Sequence, residues 1–212
     1  MDAVPTSERA RVESALAWCP VLSLPERSSS RPDRFETASM LLIEDGVVLL
    51  STSNRGSPRR IVISLAGPGS ILFPPATHER IEALTDVRMT LVPTSSNQRL
   101  LAIPAAANAI VGAAKDGLQD CRESLAQFAS RRPVDRVLLK LIQLARSSGN
   151  VGENLVVDLP LTHELLADMV GSTRETVTRA LAQLARAGII QHKRGRYEIA
   201  VRPATSASRR PL

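Results

Sequence analysis

The chain has 212 residues, 43% of them hydrophobic, and carries 27 lysines and arginines against 21 aspartates and glutamates, a formal net charge of +6. This length suits one or two compact domains, and two cysteines are too few for a disulfide scaffold, a four-cysteine iron–sulfur cluster or a four-cysteine zinc site. No apolar run approaches the roughly 20 residues that span a membrane, and residues 1–11 lack the apolar core of a signal peptide. We therefore expect a cytoplasmic protein with no membrane partner.

The positive charge is unevenly distributed along the chain. Residues 1–130 hold 13 basic and 14 acidic side chains, a net charge of −1, whereas residues 131–212 hold 14 and 7, a net charge of +7. Such asymmetry is typical of a neutral domain joined to one that binds a polyanion, and a solvated basic surface is the alternative. Five aromatic residues are too few for a protein that stacks single-stranded bases.

The first 104 residues are predicted to form a helix followed by a small β-roll. Apolar positions at helical spacing predict a helix over residues 8–19, which Pro20 ends, and residues 28–32 are predicted to be a loop. Asp45-Gly46 is a turn signal between the first two predicted strands. Short apolar runs at intervals of about 8–12 residues predict strands over residues 40–43, 47–50, 61–65, 71–73, 80–84, 87–92 and 100–103.

A long helix is predicted over residues 105–130, directly after Pro104. Its apolar residues are spaced alternately three and four apart, which is the seam of a two-stranded coiled coil. We expect this helix to form a homodimer, and packing against its own domain is the alternative. The residues predicted at the dimer interface are Val111, Ala114, Leu118, Cys121, Leu125 and Phe128.

Two helices joined by a glycine-containing turn are predicted after Pro160. Thr162 can cap the first of them, and Gly171 suits the left-handed conformation that a sharp turn requires. Ser172 and Glu175 fit a capping box at the start of the second helix. A helix, a glycine-containing turn and a helix form the helix-turn-helix pattern.

The second of these helices has two contrasting faces at about 100° per residue. One face is apolar and contains Val177, Ala180, Leu181 and Leu184. The opposite face is polar in the first two turns, where a recognition helix meets base edges, and contains Arg174, Glu175, Thr178 and Arg179. Arginine pairs with guanine and glutamate accepts from cytosine, so we expect Arg174, Glu175 and Arg179 to read bases. The capping role of Glu175 is the competing local interpretation.

A basic hairpin is predicted within residues 188–200. Two apolar segments flank Lys193, Arg194 and Arg196, and three cations at a hairpin tip suit phosphate contacts, which add affinity without sequence choice. A helix over residues 134–146 and a strand over residues 155–159 are predicted upstream of it.

The segment Val170–Arg179 resembles the recognition-helix signature of the CRP/FNR superfamily of bacterial transcription regulators, and its Arg-Glu-Thr-Val-x-Arg pattern is similar to the cyclic-AMP receptor branch. The resemblance extends over nearly the whole chain. It implies an α+β fold with three parts: a degenerate cyclic-nucleotide-binding-like β-roll over residues 1–104, a dimerisation helix over 105–130 and a winged helix-turn-helix over 131–202. The composition of residues 203–212 predicts a disordered tail after them. It also implies a homodimer that binds double-stranded DNA at a palindrome with TGTGA-like half-sites.

Carried over residue by residue, the resemblance implies that Thr162 and Thr173 contact phosphate, and we assign Thr178 to the same group. His163 departs from that branch, which often has an arginine there, so we expect weaker phosphate binding without a change in base choice. A contact with RNA polymerase is left open.

The β-roll departs from the family's cyclic-nucleotide cassette, which resembles Gly-Glu-x-x-Leu-Phe followed by Arg-Ser. Here Ser70 replaces the glutamate, and Thr77 or His78 stands where the Arg-Ser pair should be. A nucleotide phosphate needs a fixed cation and backbone donors, and Arg80 is a weak substitute. We therefore expect regulation that is independent of cyclic AMP and uses no cofactor.

The alternative is a regulator that responds to an unidentified effector in the roll. Haem would need an axial ligand, for which His78 is the candidate, and redox sensing would use Cys19 or Cys121. Two other classes of function are a protein-assembly module and an enzyme on a cupin-like roll. The +7 region favours DNA over assembly, and His78, His163 and His192 are too scattered for a metal site, so we expect neither an enzyme nor a metal.

Overall fold

A computed structural model describes residues 6–53, 60–130, 132–147 and 154–200. The chain divides into two compact units, Met1–Ala129 and Ser130–Leu212. The tail predicted over residues 203–212 lies outside the described residues.

The described residues of the N-terminal unit form three α-helices and eight β-strands, and α3 runs to the boundary between the units. The helices are α1 (Thr6–Leu16), α2 (Asn97–Leu101) and α3 (Pro104–Ser130). The strands are β1 (Val21–Leu24), β2 (Ser29–Ser30), β3 (Ala38–Asp45), β4 (Val48–Ser53), β5 (Arg60–Ala66), β6 (Ile71–Leu72), β7 (Glu79–Ala83) and β8 (Val87–Pro93).

Two four-stranded antiparallel sheets form the predicted β-roll. One has the strand order β1-β8-β3-β6, and the other has the order β2-β7-β4-β5. Side chains alternate between the two faces of a strand, so every second residue of β3 and β4 reaches the core that the sheets share. The largest fully buried members of that core are Phe35, Leu41, Ile43, Val48, Ile81 and Met89.

A second apolar cluster links the helices of this unit to the first sheet. Its buried members are Ala15, Met40, Val92, Leu100 and Ile103. In addition, a carboxylate oxygen of Glu8 in α1 accepts a hydrogen bond at 3.0 Å from the backbone N–H of Ala105, in the first turn of α3. A carboxylate at this position complements the positive end of the helix dipole, so α1 stabilises the start of α3.

The C-terminal unit packs three helices with one small sheet. Its elements are α4 (Pro133–Ser147), β9 (Asn154–Val157), α5 (His163–Val170), α6 (Arg174–Arg186), β10 (Ile190–Lys193) and β11 (Arg196–Ala200). The sheet is antiparallel with the order β10-β11-β9, and α4, α5 and α6 contact one another. Tyr197 of β11 is buried, and this burial raises the pKa of its phenol. The predicted α+β architecture is confirmed.

The strand predicted over residues 100–103 was wrong, because this segment belongs to the helical stretch around α2. Leu100 and Ile103 are buried, whereas Leu101 is 53% exposed and Ala102 is also exposed. Burial three residues apart is the spacing of a helical turn rather than of a strand. A four-residue apolar run does not distinguish the two by itself.

Two predictions near the N-terminus also need correction. The first helix ends at Leu16 and not at Cys19, whose backbone N–H donates to the carbonyl oxygen of Leu16 in a closing turn. The loop predicted over residues 28–32 contains strand β2, which pairs with Ile81 and Glu82 of β7. Pairing with a strand some fifty residues away is a tertiary effect that the local serine-rich sequence does not reveal.

The Asp45-Gly46 turn is present, but it connects strands of different sheets. β3 pairs with β6 and β8, whereas β4 pairs with β5 and β7. Gly46 has a φ of 78°, and a Cβ atom added there would lie 2.1 Å from the backbone oxygen of Asp86. The crossover between the sheets therefore requires glycine for both its conformation and its close contact.

We expect Gly46→Ala to destabilise the N-terminal unit more than Gly69→Ala does. Both glycines have positive φ, 78° and 81°, but a Cβ at Gly69 meets nothing within 4 Å. Gly69→Ala should therefore lower the free energy of unfolding only through the strain of the left-handed conformation, by about 1–2 kcal/mol. Gly46→Ala should lower it by about 1–3 kcal/mol more, because the added Cβ overlaps the backbone of Asp86. Urea denaturation followed by circular dichroism measures the difference, and equal losses would contradict the close contact at Gly46.

Candidate nucleic-acid interface

Helices α5 and α6 are joined by a short turn that closes on one carbonyl oxygen. The side chain of Thr162 caps α5 by accepting a hydrogen bond at 3.0 Å from the backbone N–H of Leu165. Gly171 ends that helix at φ 60° and ψ 47°, the left-handed conformation that the sequence predicts. The backbone N–H groups of Gly171 and Ser172 both donate to the carbonyl oxygen of Ala167. These bonds fix where the chain leaves α5.

The cap of α6 is Thr173, one residue later than the predicted capping box at Ser172. Thr173 has an extended backbone, φ −94° and ψ 155°, and its side chain accepts from the backbone N–H of Thr176 at 3.2 Å. The prediction was wrong because the N–H of Ser172 still closes the preceding turn. Glu175 is consequently the second residue of the helix, one position too early for a capping box.

One face of α6 is buried and the opposite face is exposed, as the helical spacing predicts. The buried side chains are Val177, Ala180, Leu181 and Leu184. The exposed polar side chains of the first two turns, here called the recognition face, are Arg174, Glu175, Thr178 and Arg179. The structure brings these four residues together on one surface, and their roles toward DNA stay predictions.

Glu175 is held as a carboxylate at the start of α6. Its pKa is lowered first by a hydrogen bond from its own backbone N–H and next by one from the hydroxyl of Thr173. Desolvation opposes these two effects, and the positive charges of Arg174 and Arg179 each lower the pKa by a smaller amount. The side chain is therefore a hydrogen-bond acceptor that also feels the charges of two arginines.

The sequence assigned no role to Thr176, which connects two of the candidate residues. Its hydroxyl oxygen lies 2.9 Å from that of Thr173 and accepts a long hydrogen bond, 3.5 Å, from Nη2 of Arg179. Thr173, Thr176 and Arg179 are successive i, i+3 neighbours, which meet on one edge of a helix. This spacing is the signal by which Thr176 could have been found.

The hydroxyl of Thr178 is engaged within the protein on both sides. It donates to the carbonyl oxygen of Arg174 at 2.9 Å, and it lies 2.9 Å from Nδ1 of His163 in α5. Because the hydroxyl proton goes to Arg174, Nδ1 of His163 must be the donor in the second bond. His163 and Thr178 therefore connect α5 to the exposed face of α6.

The basic hairpin is a two-residue turn within a three-stranded sheet. Arg194 has a φ of 51° and Gly195 a φ of 81°, and positive φ at both central positions is the turn geometry that matches the twist of paired strands. Strand β9 adds a third strand beside β11. The tip carries Lys193, Arg194 and Arg196, and all three side chains are exposed.

Two of the three cations at this tip are paired with carboxylates. Nζ of Lys193 lies 3.5 Å from Glu198, and Nε of Arg196 lies 2.7 Å from Asp158. Within the described part of the chain, Arg194 makes no ion pair. Exposed pairs contribute only about 0–1 kcal/mol, but each carboxylate offsets part of the charge that a phosphate would meet.

The apolar seam predicted on α3 is exposed within a single chain. Val111 is 66% exposed, Leu118 is 53% exposed and Leu125 is 64% exposed. Ala114 and Cys121 are exposed as well, and the side chain of Phe128 lies outside the described residues. Large apolar side chains at heptad spacing on one helix face are typical of a surface that pairs with another helix.

A cleft of about 750 Å³ in the N-terminal unit contains the residues weighed as effector ligands. His78 and Arg80, which were weighed above, contribute to its lining, and Arg31 lies beside them. A carboxylate oxygen of Glu79 accepts a hydrogen bond at 2.8 Å from the backbone N–H of Ala76. An acidic group therefore occupies a backbone donor in the loop where the family's cassette would offer donors to a phosphate.

The remaining candidates do not gather into a site among the described residues. Cys19 is buried, with its Sγ 3.8 Å from the carbonyl oxygen of Ala15, and Cys121 is exposed on α3. In the described ranges, no three His, Cys, Asp or Glu side chains come together as a metal-binding group. No helix there is long and apolar enough to cross a membrane.

Comparison with known proteins identifies the type of domain in the C-terminal unit. Residues 135–204 match the family model of the Crp-like helix-turn-helix domain. The chain is 31% identical over 144 residues to the transcriptional regulator SdrP of Thermus thermophilus, a match that spans 66% of this chain and 68% of that protein.

Two solved structures share the fold over most of both chains. A mutant of CooA from Carboxydothermus hydrogenoformans has a TM-score of 0.75 at 19% identity, covering 89% of this chain and 86% of that one. TTHA1359, a CRP/FNR-family transcriptional regulator from Thermus thermophilus, has a TM-score of 0.61 at 23% identity, covering 85% and 93%. With a β-roll of the cyclic-nucleotide-binding type and a Crp-like helix-turn-helix, the chain belongs to the CRP/FNR superfamily of transcription regulators.

Proposed function

We propose that this regulator binds a palindromic site in double-stranded DNA as a homodimer and reads it with the first two turns of α6. The observation that carries the proposal is the recognition face, a polar surface at the start of a helix whose other face is buried. An α-helix fits the major groove and contacts base edges through its N-terminal residues. The net charge of +7 over residues 131–212 supplies the attraction to phosphate.

Three residues of the recognition face have the chemistry for base readout. Arg174 and Arg179 can each donate two hydrogen bonds to O6 and N7 of guanine, and the Glu175 carboxylate can accept from N4 of cytosine. The lowered pKa of Glu175 keeps it an acceptor at neutral pH. Together with the family resemblance of Val170–Arg179, this set supports half-sites similar to TGTGA.

The residues proposed to contact phosphate differ in whether their donor groups are already bonded within the protein. Thr162 uses its side-chain oxygen as an acceptor, so its hydroxyl proton remains for a phosphate, and Arg194 is exposed and makes no ion pair in the described ranges. The other proposed contacts must give up or share a bond within the protein: Thr173, Thr178, Lys193 and Arg196. Thr162 and Arg194 are therefore the strongest candidates.

We assign dimerisation to residues 105–130. The exposed seam residues Val111, Leu118 and Leu125 would be buried by a second copy of α3, and burying one such side chain contributes about 1.5–3 kcal/mol. A two-fold axis between paired α3 helices presents two α6 helices, and a symmetric dimer reads a palindrome.

We further propose that DNA binding is independent of cyclic AMP. Ser70 stands in place of the cassette glutamate, and the backbone N–H of Ala76 is taken by the carboxylate of Glu79. A phosphate in this loop would meet that negative charge and lack a donor.

A second candidate is control by a different effector in the cleft of the N-terminal unit. Its lining contains the cations of Arg31 and Arg80, the hydroxyl residues Thr52 and Ser53, and Glu79, whose carboxylate is bound to the backbone N–H of Ala76. The two arginines suit an anionic molecule whose charged group binds away from the loop between Ala76 and Glu79.

Selection of bound fragments from genomic DNA by the purified protein, without added nucleotide, tests the main proposal. We expect palindromes with TGTGA-like half-sites, and we expect added cyclic AMP to leave the affinity unchanged. A large gain in affinity on adding cyclic AMP would overturn the proposed independence. Enrichment of sites without two-fold symmetry would overturn the dimeric mode of binding.

We expect Arg179→Ala and Arg194→Ala to weaken binding in different ways. Loss of a bidentate base contact should cost about 1–3 kcal/mol of discrimination at one base pair, whereas loss of a phosphate contact should weaken all sequences alike and reduce the salt slope by about 1. Binding titrations of both variants on matched and mismatched duplexes over a range of salt concentrations provide the comparison. Unchanged base preference in Arg179→Ala would remove Arg179 from the base-reading set.

We expect Leu118→Lys to dissociate the dimer and Asp116→Lys to leave it intact. Leu118 lies on the seam of α3 and Asp116 on the opposite face. Two buried leucines lost per dimer should weaken it by at least about 3 kcal/mol, roughly a hundredfold in Kd. Sedimentation of both variants over a concentration series gives the result, and equal dimerisation of the two would contradict the seam.

A further inference from the structure

Thr176 is a neighbour of two proposed base-reading residues: it follows Glu175 in the chain, and its hydroxyl contacts Arg179 and the cap residue Thr173. Thr176 is half-buried, whereas the arginine and the glutamate are exposed. The connected side chains of Thr173, Thr176 and Arg179 lie on one edge of α6, at positions i, i+3 and i+6. The surroundings of Thr176 therefore differ from those of a side chain that only faces solvent.

Three contacts connect Thr176 to its neighbours. Its backbone N–H donates to the hydroxyl oxygen of Thr173 at 3.2 Å, and the two threonine hydroxyl oxygens lie 2.9 Å apart, where either can be the donor. The oxygen of Thr176 accepts from Nη2 of Arg179 at 3.5 Å. The hydroxyl of Thr173 is in turn among the groups that lower the pKa of Glu175. The Thr176 hydroxyl therefore contacts both Arg179 and the threonine that caps α6.

We propose that Thr176 is a positioning residue for sequence readout, whose hydroxyl orients the Arg179 guanidinium relative to the Glu175 carboxylate before DNA is bound. The proposal rests on the proposed function, because it concerns residues that would read bases. Arginine has many rotamers, and ordering it before binding raises affinity for the matching base without adding a contact to DNA. Thr176 thus acts on discrimination through Arg179 and Glu175 and not by a phosphate contact of its own.

The variants Thr176→Val and Thr176→Ser separate the hydroxyl from the rest of the side chain. Valine keeps the branched shape and a similar helix propensity but removes the hydroxyl, whereas serine keeps the hydroxyl. Both retain the backbone N–H that Thr173 caps, so α6 keeps its cap. Equal thermal unfolding midpoints for the three proteins would show that the fold is unaffected.

Binding of the full-length variants is titrated on a duplex with the selected palindrome, on duplexes with single base changes in the half-site and on an unrelated duplex. We expect Thr176→Val to lower the preference for the base pairs read by Arg179 and Glu175 by about three- to tenfold, the worth of one net hydrogen bond. Binding to the unrelated duplex and the salt slope should stay as in the parent protein, and Thr176→Ser should restore the preference.

Two results would overturn the proposal. Uniform weakening of Thr176→Val on every duplex would indicate a direct phosphate contact, and an unchanged preference would indicate that Arg179 needs no support. Failure of the proposed function gives a different result, because the parent protein would then show no preference for any palindrome. If the parent protein is specific and Thr176→Val equals it, only the role of Thr176 is lost.

Discussion

Burial of one face of α6 is the constraint on which the DNA-binding surface depends. Val177, Leu181 and Leu184 are almost completely buried against α4 and α5, and each such side chain contributes about 1.5–3 kcal/mol. The exposed hydrogen bonds at the start of the helix are worth only about 1 kcal/mol each. The core therefore decides which side of α6 faces outward, and the polar contacts adjust only the side chains on that face.

The turn before α6 decides where this face begins. Because Ala167 accepts hydrogen bonds from both Gly171 and Ser172, the first residue available as a cap is Thr173. That choice places Glu175 in the first helical turn, where backbone N–H groups and the helix dipole favour a negative charge. One local closure thus sets both the length of the turn and the lowered pKa of a proposed base-reading residue.

The two units combine an inherited architecture with local chemistry of their own. The roll has the sheets of the cyclic-nucleotide-binding type, yet Glu79 takes a backbone donor in the loop where a phosphate would be held. The basic hairpin likewise has the expected cations, yet Asp158 and Glu198 offset two of them. A fold carries many functions, and the groups at its sites decide which one is performed.

The sequence by itself determined the elements whose pattern is long or chemically strict. Heptad spacing from Val111 to Phe128 predicted α3, Gly171 predicted the left-handed turn, and the two faces of α6 followed from helical spacing. The family also followed from sequence, because Val170–Arg179 lies within one continuous motif. These features depend on neighbours along the chain, which the sequence lists in order.

Tertiary structure alone decided the features that need partners far along the chain. Only packing places Leu100 and Leu101 in α2, sends β3 and β4 into different sheets, and brings Asp158 to Arg196 and His163 to Thr178. The recipient of the Thr178 hydroxyl proton is of the same kind, because a hydroxyl has one proton and the groups within its reach include the carbonyl oxygen of Arg174 and the ring of the distant His163. Such competition is resolved in three dimensions, and no local pattern of residues encodes its outcome.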